Sequence, residues 1–172
     1  ITHLALHDEE TGLPNRLALE RAIEDLPPQP VFVATLGIDR FAHVRGAIGY
    51  ALAAQAVRMI GNRLAGLSPG AKVARLSTDV LGFIMPAESL AVAEAKATGL
   101  LAELELPLKV GGDAIDVALS LGLAPHAPGE ETASEAIERA NIALDQAHGA
   151  RRKVAFFDAQ AYGDPASNLS LM

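Results

Sequence analysis

Apolar residues recur along the chain in two periods, and the changes of period mark out its elements. Leu19, Ile23 and Leu26 return at helical spacing. They follow the turn Thr11-Gly12-Leu13-Pro14-Asn15-Arg16, where Pro14 suits a first helical turn. Pro27, Pro28 and Pro30 stop that helix. Val31 to Leu36 is a short apolar run rich in β-formers and predicts a buried strand. After a linking turn, Leu52, Ala56, Met59, Ile60 and Leu64 mark one face of a helix that Gly66 and Pro69 end. Lys72 to Leu76 and Leu81 to Met85 predict two strands around a tight turn at Ser77-Thr78-Asp79. Leu90, Ala93, Ala97, Leu100, Leu101 and Leu104 form the next amphipathic face. Leu106 to Val110 and Ala114 to Leu123 flank Gly111-Gly112-Asp113, a second hairpin signal. Thr132 and Glu135 have the spacing of a capping box. Ala136, Ala140, Ala143, Leu144 and Ala147 line the helix that follows, with Gly149 at its end, and Val154 to Phe157 is a last strand.

The order helix, strand, helix, hairpin, helix, hairpin, helix, strand predicts an α/β sandwich around a mostly antiparallel sheet. Residues 1–158 then form one domain. Residues 159–172, with Gly163, Pro165 and Ser167, read as a linker. The chain starts on Ile1 and ends on the apolar Leu169-Ser170-Leu171-Met172, so flanking domains are expected on both sides.

Composition narrows the function classes. Half of the 172 residues are hydrophobic but only 4% are aromatic, so the core is built from Ala, Leu, Val and Ile. The formal charge of −7 argues against a nucleic-acid binder, which would show a basic face. There is no cysteine, which removes disulfides, thiolate chemistry and Cys-based metal sites and fits a cytoplasmic location. No apolar stretch approaches the roughly 20 residues that cross a bilayer. His3, His7, His43, His126 and His148 are scattered, without a helical ligand pair, and predict no zinc site.

Several segments, in order, resemble the GGDEF family of diguanylate cyclases. His7-Asp8 and Thr11 to Arg16 resemble its opening H-D-x-L-T-G-L-x-N-R. Gly37-Ile38-Asp39-Arg40-Phe41 resembles D-I-D-x-F-K, and Gly49-Tyr50 falls where the family has Gly-His. Arg75-Leu76-Ser77-Thr78-Asp79-Val80-Leu81 occupies the signature hairpin R-x-G-G-[DE]-E-F. Ser120-Leu121-Gly122 resembles the following S-x-G strand. Ala140 to Lys153 resembles the closing A-D-x-A-L-Y-x-A-K-x-x-G-R-N. The resemblance implies the GGDEF or nucleotidyl-cyclase-like sandwich.

It also implies a chemistry with four demands. In the family two GTP molecules are joined head to tail across two domains. Mg²⁺ needs hard oxygen ligands, and phosphates need N–H groups and cations. Guanine needs polar partners, and the hairpin glycines let a phosphate approach the backbone. Here the first Asp of D-I-D is Gly37, and Val80 replaces the signature Glu. Asp39 matches the second Asp and is expected to point the other way along the strand. Asp79 is retained; it reads first as a turn-stabilising residue and second as a metal or nucleotide contact, and Asp39 likewise. The motif lysines fall on Ala42 and His148. Arg152 matches the final Arg; it reads as a helix-end cation or as a phosphate contact. The guanine-selecting Asn and Asp fall on Arg45 and Ala54. Ser77 and Thr78 replace both glycines and are expected to crowd a phosphate and resist positive φ. The inhibitory R-x-x-D before the hairpin falls on Ser68 and Ala71.

The resulting expectation is a degenerate GGDEF domain that is not itself an enzyme. It would regulate a cyclic di-GMP signalling protein through neighbouring sensor and EAL phosphodiesterase domains, with a possible homodimer. Phosphodiesterase activity would then belong to another domain. The alternatives are a residual GTP-binding module using Asp39, Asp79 and Arg152, and a weak cyclase. No cofactor is expected, and Mg²⁺ only if a nucleotide site survives.

Overall fold

Val31–Ile38, here β1, is the strand around which the remainder is arranged, because both of its faces are buried along its whole length. Alternation along a strand sends successive side chains to opposite faces. Phe32, Ala34, Leu36 and Ile38 accordingly join one apolar cluster, and Val31 and Val33 the other. The computed structural model describes residues 5–158. The expected linker 159–172 and His3 lie outside the described residues.

In chain order the elements are α1 (Arg16–Glu24), β1, α2 (Phe41–Ile48), α3 (Tyr50–Leu67), β2 (Ala74–Ser77), β3 (Val80–Met85) and α4 (Leu90–Leu104). There follow β4 (Leu108–Val110), β5 (Asp113–Ile115), β6 (Leu119–His126), α5 (Ala133–Gly149) and β7 (Val154–Phe156). The main sheet runs β2-β3-β1-β6-β7. Its pairs are antiparallel except β6 with β7, which is parallel. Residues of α3 and α4 pack on one face and residues of α1 and α5 on the other, which is the expected mostly antiparallel sandwich.

Local sequence explains most boundaries. Asn15 caps α1 by accepting from the Ala18 N–H, and Ser89 caps α4 by accepting from the Val92 N–H. Thr132 and Glu135 form the reciprocal capping box expected for α5. Ala136, Ala140, Ala143, Leu144 and Ala147 are buried, as their spacing predicts.

Three expectations need correction. The linking turn after β1 contains the helix α2, joined to α3 at Gly49 with φ +88. Its short sequence, with Val44 and Gly46 inside, gives little helical signal. Second, Ala114 to Leu123 is not one strand. Residues 114 and 115 belong to a separate two-stranded ribbon with β4, whereas β6 starts at Leu119 and pairs with β1. The Gly111-Gly112 turn closes that ribbon and leaves the main sheet untouched. Third, the strand expected over Lys72 to Leu76 runs from Ala74 to Ser77, and Leu76 bulges out between the Arg75–Leu81 and Ser77–Val80 pairs.

Candidate functional site

The C-terminal end of β1, the β2–β3 turn, the start of β6 and the end of α5 meet around one open cleft. Its volume is about 410 Å³, and it is lined by Ile38, Asp39, Arg40, Asp79 and Ser120, and by Ala147, His148, Arg151, Arg152 and Lys153 at the α5 exit. Small residues bring these elements together. A Cβ on Gly122 would lie 2.3 Å from the Leu144 backbone nitrogen and 2.4 Å from the Ala140 carbonyl oxygen, so α5 rests directly on β6. On the same side of β1, Thr35 donates its hydroxyl hydrogen bond to the Ala140 carbonyl at 2.8 Å.

Thr35, Gly37 and Asp39 share that side, because residues two apart on a strand share a face. The expectation that Asp39 points away from Gly37 is therefore wrong. Asp39 faces the cleft, where its carboxylate accepts hydrogen bonds from the Ser120 hydroxyl at 3.0 Å and from His148 Nε2 at 3.1 Å. Ser120 and Gly122 are likewise two apart. The S-x-G pattern thus supplies both the hydroxyl that holds Asp39 and the gap that admits α5.

A Cβ on Gly37 would meet the two Leu144 methyl groups at 3.1 and 3.2 Å and His148 Cε1 at 3.4 Å. The space that a carboxylate would enter at this position is already bordered by side chains of α5. Asp79 sits in the two-residue turn between Ser77 and Val80, and its backbone carbonyl accepts from the Ile38 N–H at 2.9 Å. Ser77 Oγ lies 3.5 Å from Asp79 Oδ1, so the signature turn is tied both to itself and to β1.

The expected resistance of Ser77 and Thr78 to positive φ does not arise. Among the described residues, the non-glycine positions with positive φ are Arg40, Lys72 and Arg151, all outside this turn. Arg151, at φ +55, stands where the closing motif has its Gly.

The residues at the metal positions do not fit Mg²⁺. Gly37 and Val80 offer no side-chain oxygen, and the Asp39 carboxylate is occupied by Ser120 and His148. A hard divalent cation needs several oxygen ligands, and one carboxylate in the turn is a poor set. Ala42, Arg45 and Ala54 stand outside the cleft lining. Arg45 is stacked over the Phe41 ring at 5.7 Å and the Tyr50 ring at 4.4 Å, and Ala54 is buried.

Arg152 lines the cleft together with Arg40, Arg151 and Lys153. Only the fold brings residue 40 beside residues 151–153. The Asp39–His148 contact was open to sequence reasoning, through the period of two on β1 and the position of His148 one helical turn beyond Leu144.

On the other side of the signature hairpin, Arg75 binds the opening turn. Its guanidinium donates to Asp8 at 3.1 Å, to Glu10 at 2.6 Å and to the carbonyls of Ser77 and Thr78. Burial pushes the Asp8 carboxyl upward, but hydrogen bonds from Thr11 and the Arg75 guanidinium outweigh it and leave its pKa below the usual carboxylate value.

A sheet of this order, with the opening turn, the β2–β3 hairpin and the α5 exit converging on one cleft, defines a nucleotidyl-cyclase-like domain. Residues 5–154 match the model of the diguanylate cyclase GGDEF domain, and the chain belongs to that family. It is 30% identical over 167 residues to an uncharacterised protein of Mycobacterium tuberculosis, covering 92% of this chain and 27% of that protein. It is 30% identical over 165 residues to the diguanylate cyclase TpbB of Pseudomonas aeruginosa, covering 88% of this chain and 38% of that one. The isolated GGDEF domain of TpbB superposes with a TM-score of 0.76 at 25% identity, covering 88% of this chain and 94% of that domain. The bifunctional diguanylate cyclase/cyclic di-GMP phosphodiesterase MucR of P. aeruginosa is 25% identical over 180 residues, covering all of this chain and 26% of MucR. The chain thus spans between about a quarter and two fifths of these full-length relatives. It is a GGDEF module related to cyclic di-GMP signalling proteins. No helix among the described residues is long and apolar enough to cross a membrane.

Proposed function

We propose that this domain is a catalytically inactive GGDEF module that regulates a cyclic di-GMP signalling protein. The observation that carries the reading is the state of β1 at the cleft. Gly37 stands at the first carboxylate position, the neighbouring space is bordered by Leu144 and His148, and Asp39 is bonded within the protein. Catalysis needs the phosphates and the attacking hydroxyl held in a fixed geometry with their charge neutralised. Of the positions that would do this, Gly37 and Val80 carry no side-chain oxygen and Asp79 alone keeps a carboxylate. The sandwich and its surfaces remain, which suits a module that passes a signal to a neighbour. MucR is described as both a diguanylate cyclase and a cyclic di-GMP phosphodiesterase, and a phosphodiesterase domain is the kind of neighbour that such a module would regulate.

The test is incubation of the chain with GTP and Mg²⁺, with chromatography for cyclic di-GMP. No product above a no-protein control is expected. Product that disappears in Asp79→Ala would overturn the proposal.

The second reading, a module that senses a nucleotide, is favoured by one observation. The cleft gathers Arg40, Arg151, Arg152 and Lys153 at its rim.

A further inference from the structure

The main sheet ends on β2 at one side and on β7 at the other. The two edges are treated differently. The β2 edge is covered by the opening turn, because the Arg75 N–H donates to the Pro14 carbonyl at 2.7 Å and Asn15 bridges to Arg75. The β7 edge has no such cover. Toward β6, the Lys153 carbonyl accepts from the Leu121 N–H and the Phe157 N–H donates to the Leu123 carbonyl. Parity then turns the backbone N–H and C=O groups of Val154 and Phe156 away from β6, and they have no partner among the described residues. An unpaired strand edge is a template for another strand.

An apolar groove lies against the same strand. Its volume is about 960 Å³, and its apolar lining is Leu90, Pro125, Ala155, Phe156 and Phe157. Leu90 is 56% exposed, the second most exposed large apolar side chain after Tyr50 among the described residues. The charges at the ends of the strand are opposite. Exposed Arg152 precedes β7 and exposed Asp158 follows it.

We propose that β7 is a homodimer interface, at which a second copy of this chain adds its own β7 antiparallel about a twofold axis at Ala155. A twofold axis across such an edge requires antiparallel strands. Centring on Ala155 sets Val154 of each copy opposite Phe156 of the other. These are the residues whose backbone groups face outward, and such a pair exchanges two hydrogen bonds. The same register sets Arg152 of each copy opposite Asp158 of the other, a favourable cross-strand pair. A shift of two residues either way loses this match and brings Arg152, whose N–H already donates to the Ala147 carbonyl, or Asp158 opposite an apolar residue. The pairing also brings Val154 and Phe156 of the second copy to the face where Leu90 stands exposed. The β2–β3-β1-β6-β7 sheet would thereby continue through both copies. This interface is independent of whether the cleft binds a nucleotide.

The experiment is sedimentation equilibrium of the 172-residue chain over a wide range of concentration. A reversible monomer–dimer equilibrium is expected. Arg152→Asp should weaken the dimer at least tenfold, and Arg152→Asp/Asp158→Arg should bring it back to within threefold of the parent. Both side chains are exposed, and unchanged circular dichroism would confirm that the variants are folded. The register has its own readout, because the chain has no cysteine. Residues facing each other across a non-hydrogen-bonded antiparallel pair have Cα atoms about 4.5 Å apart, within reach of a disulfide. Ala155→Cys should therefore cross-link two copies on mild oxidation, whereas Thr98→Cys, exposed on α4, should not. A monomer at every concentration would overturn the proposal. So would a dimer of unchanged affinity in Arg152→Asp, one that the double variant fails to rescue, or cross-linking through Thr98→Cys in place of Ala155→Cys.

Discussion

Gly122 shows how much one position decides. A methyl group there would press on backbone atoms of α5 at 2.3 and 2.4 Å, and backbone cannot rotate aside. Overpacking typically costs about 1–3 kcal/mol, and more where nothing gives. Gly122→Ala should lower the melting temperature by about 4 °C or more, since 1 kcal/mol is worth about 2–4 °C at this size. Gly66, in α3 with open space around its Cβ position, is the control, and Gly66→Ala should hold or slightly raise it. A melt in which both variants behave alike would contradict the packing account. His126 gives a second residue-level test. Burial, with a smaller effect of Arg139, lowers its pKa below the ordinary histidine value, while its ring bonds Glu131 at 2.8 Å. The neutral ring is then the folded form, and its contribution is present above the unfolded value of about 6.5. It is lost as pH falls through the lowered folded value. Urea midpoints should fall between about pH 7 and pH 5, and His126→Asn should flatten that fall. An equally steep curve in the variant would remove His126 from the account. At this scale the sequence was readable wherever parity or a motif applied: Gly37, Asp79 and Arg152 all border or line the cleft. Asp39 lies two residues beyond Gly37, so strand parity puts both on the cleft side, whereas Arg40 meets Arg151 only through the fold.

At the scale of elements, the signature hairpin is held from both sides, by β1 through the Ile38 N–H and by the opening turn through Arg75. The Arg75 side chain is nearly buried, and it satisfies two carboxylates and two carbonyls. A hydrogen bond to a charged group contributes about 1.5–3 kcal/mol, so Arg75→Ala should destabilise the domain by at least about 2 kcal/mol. The lowered pKa of Asp8 adds a pH signature. Its contribution is present above the unfolded carboxylate value and is lost as pH falls through the folded one. Denaturant titrations from neutral pH to below about pH 4 should therefore show a larger acid loss in the parent than in Arg75→Ala. A parallel pair of curves would separate Asp8 from the clamp. Long periodic elements such as α3, α4 and α5 were legible because their apolar faces repeat over several turns. α2 was not, since it has eight residues and ends at a positive-φ glycine. The Gly111-Gly112 turn was correctly seen as a hairpin, but turn chemistry does not say which sheet its strands join.

At the scale of the molecule, the alternation of helix, strand and hairpin sufficed for the sandwich, and the motif order for the family. Periodicity and composition do not place the β1 end, the signature turn and the α5 exit around one cleft, because their meeting depends on sheet order; the family resemblance alone groups Asp39, Asp79 and Arg152. In the family the reaction needs two domains facing each other, so a chain that stays monomeric makes no product whatever the state of its site. The direct measurement removes that ambiguity. The chain is fused to a parallel coiled coil that enforces a dimer, and cyclic di-GMP is measured with saturating GTP and Mg²⁺ beside a similarly fused GGDEF domain of TpbB. The account predicts product from the TpbB fusion and none from this chain, with Gly37→Asp failing to restore it because Leu144 and His148 border the site and Ala42, Arg45 and Ala54 are unchanged. Cyclic di-GMP from the unaltered dimer, lost in Asp79→Ala, would contradict it.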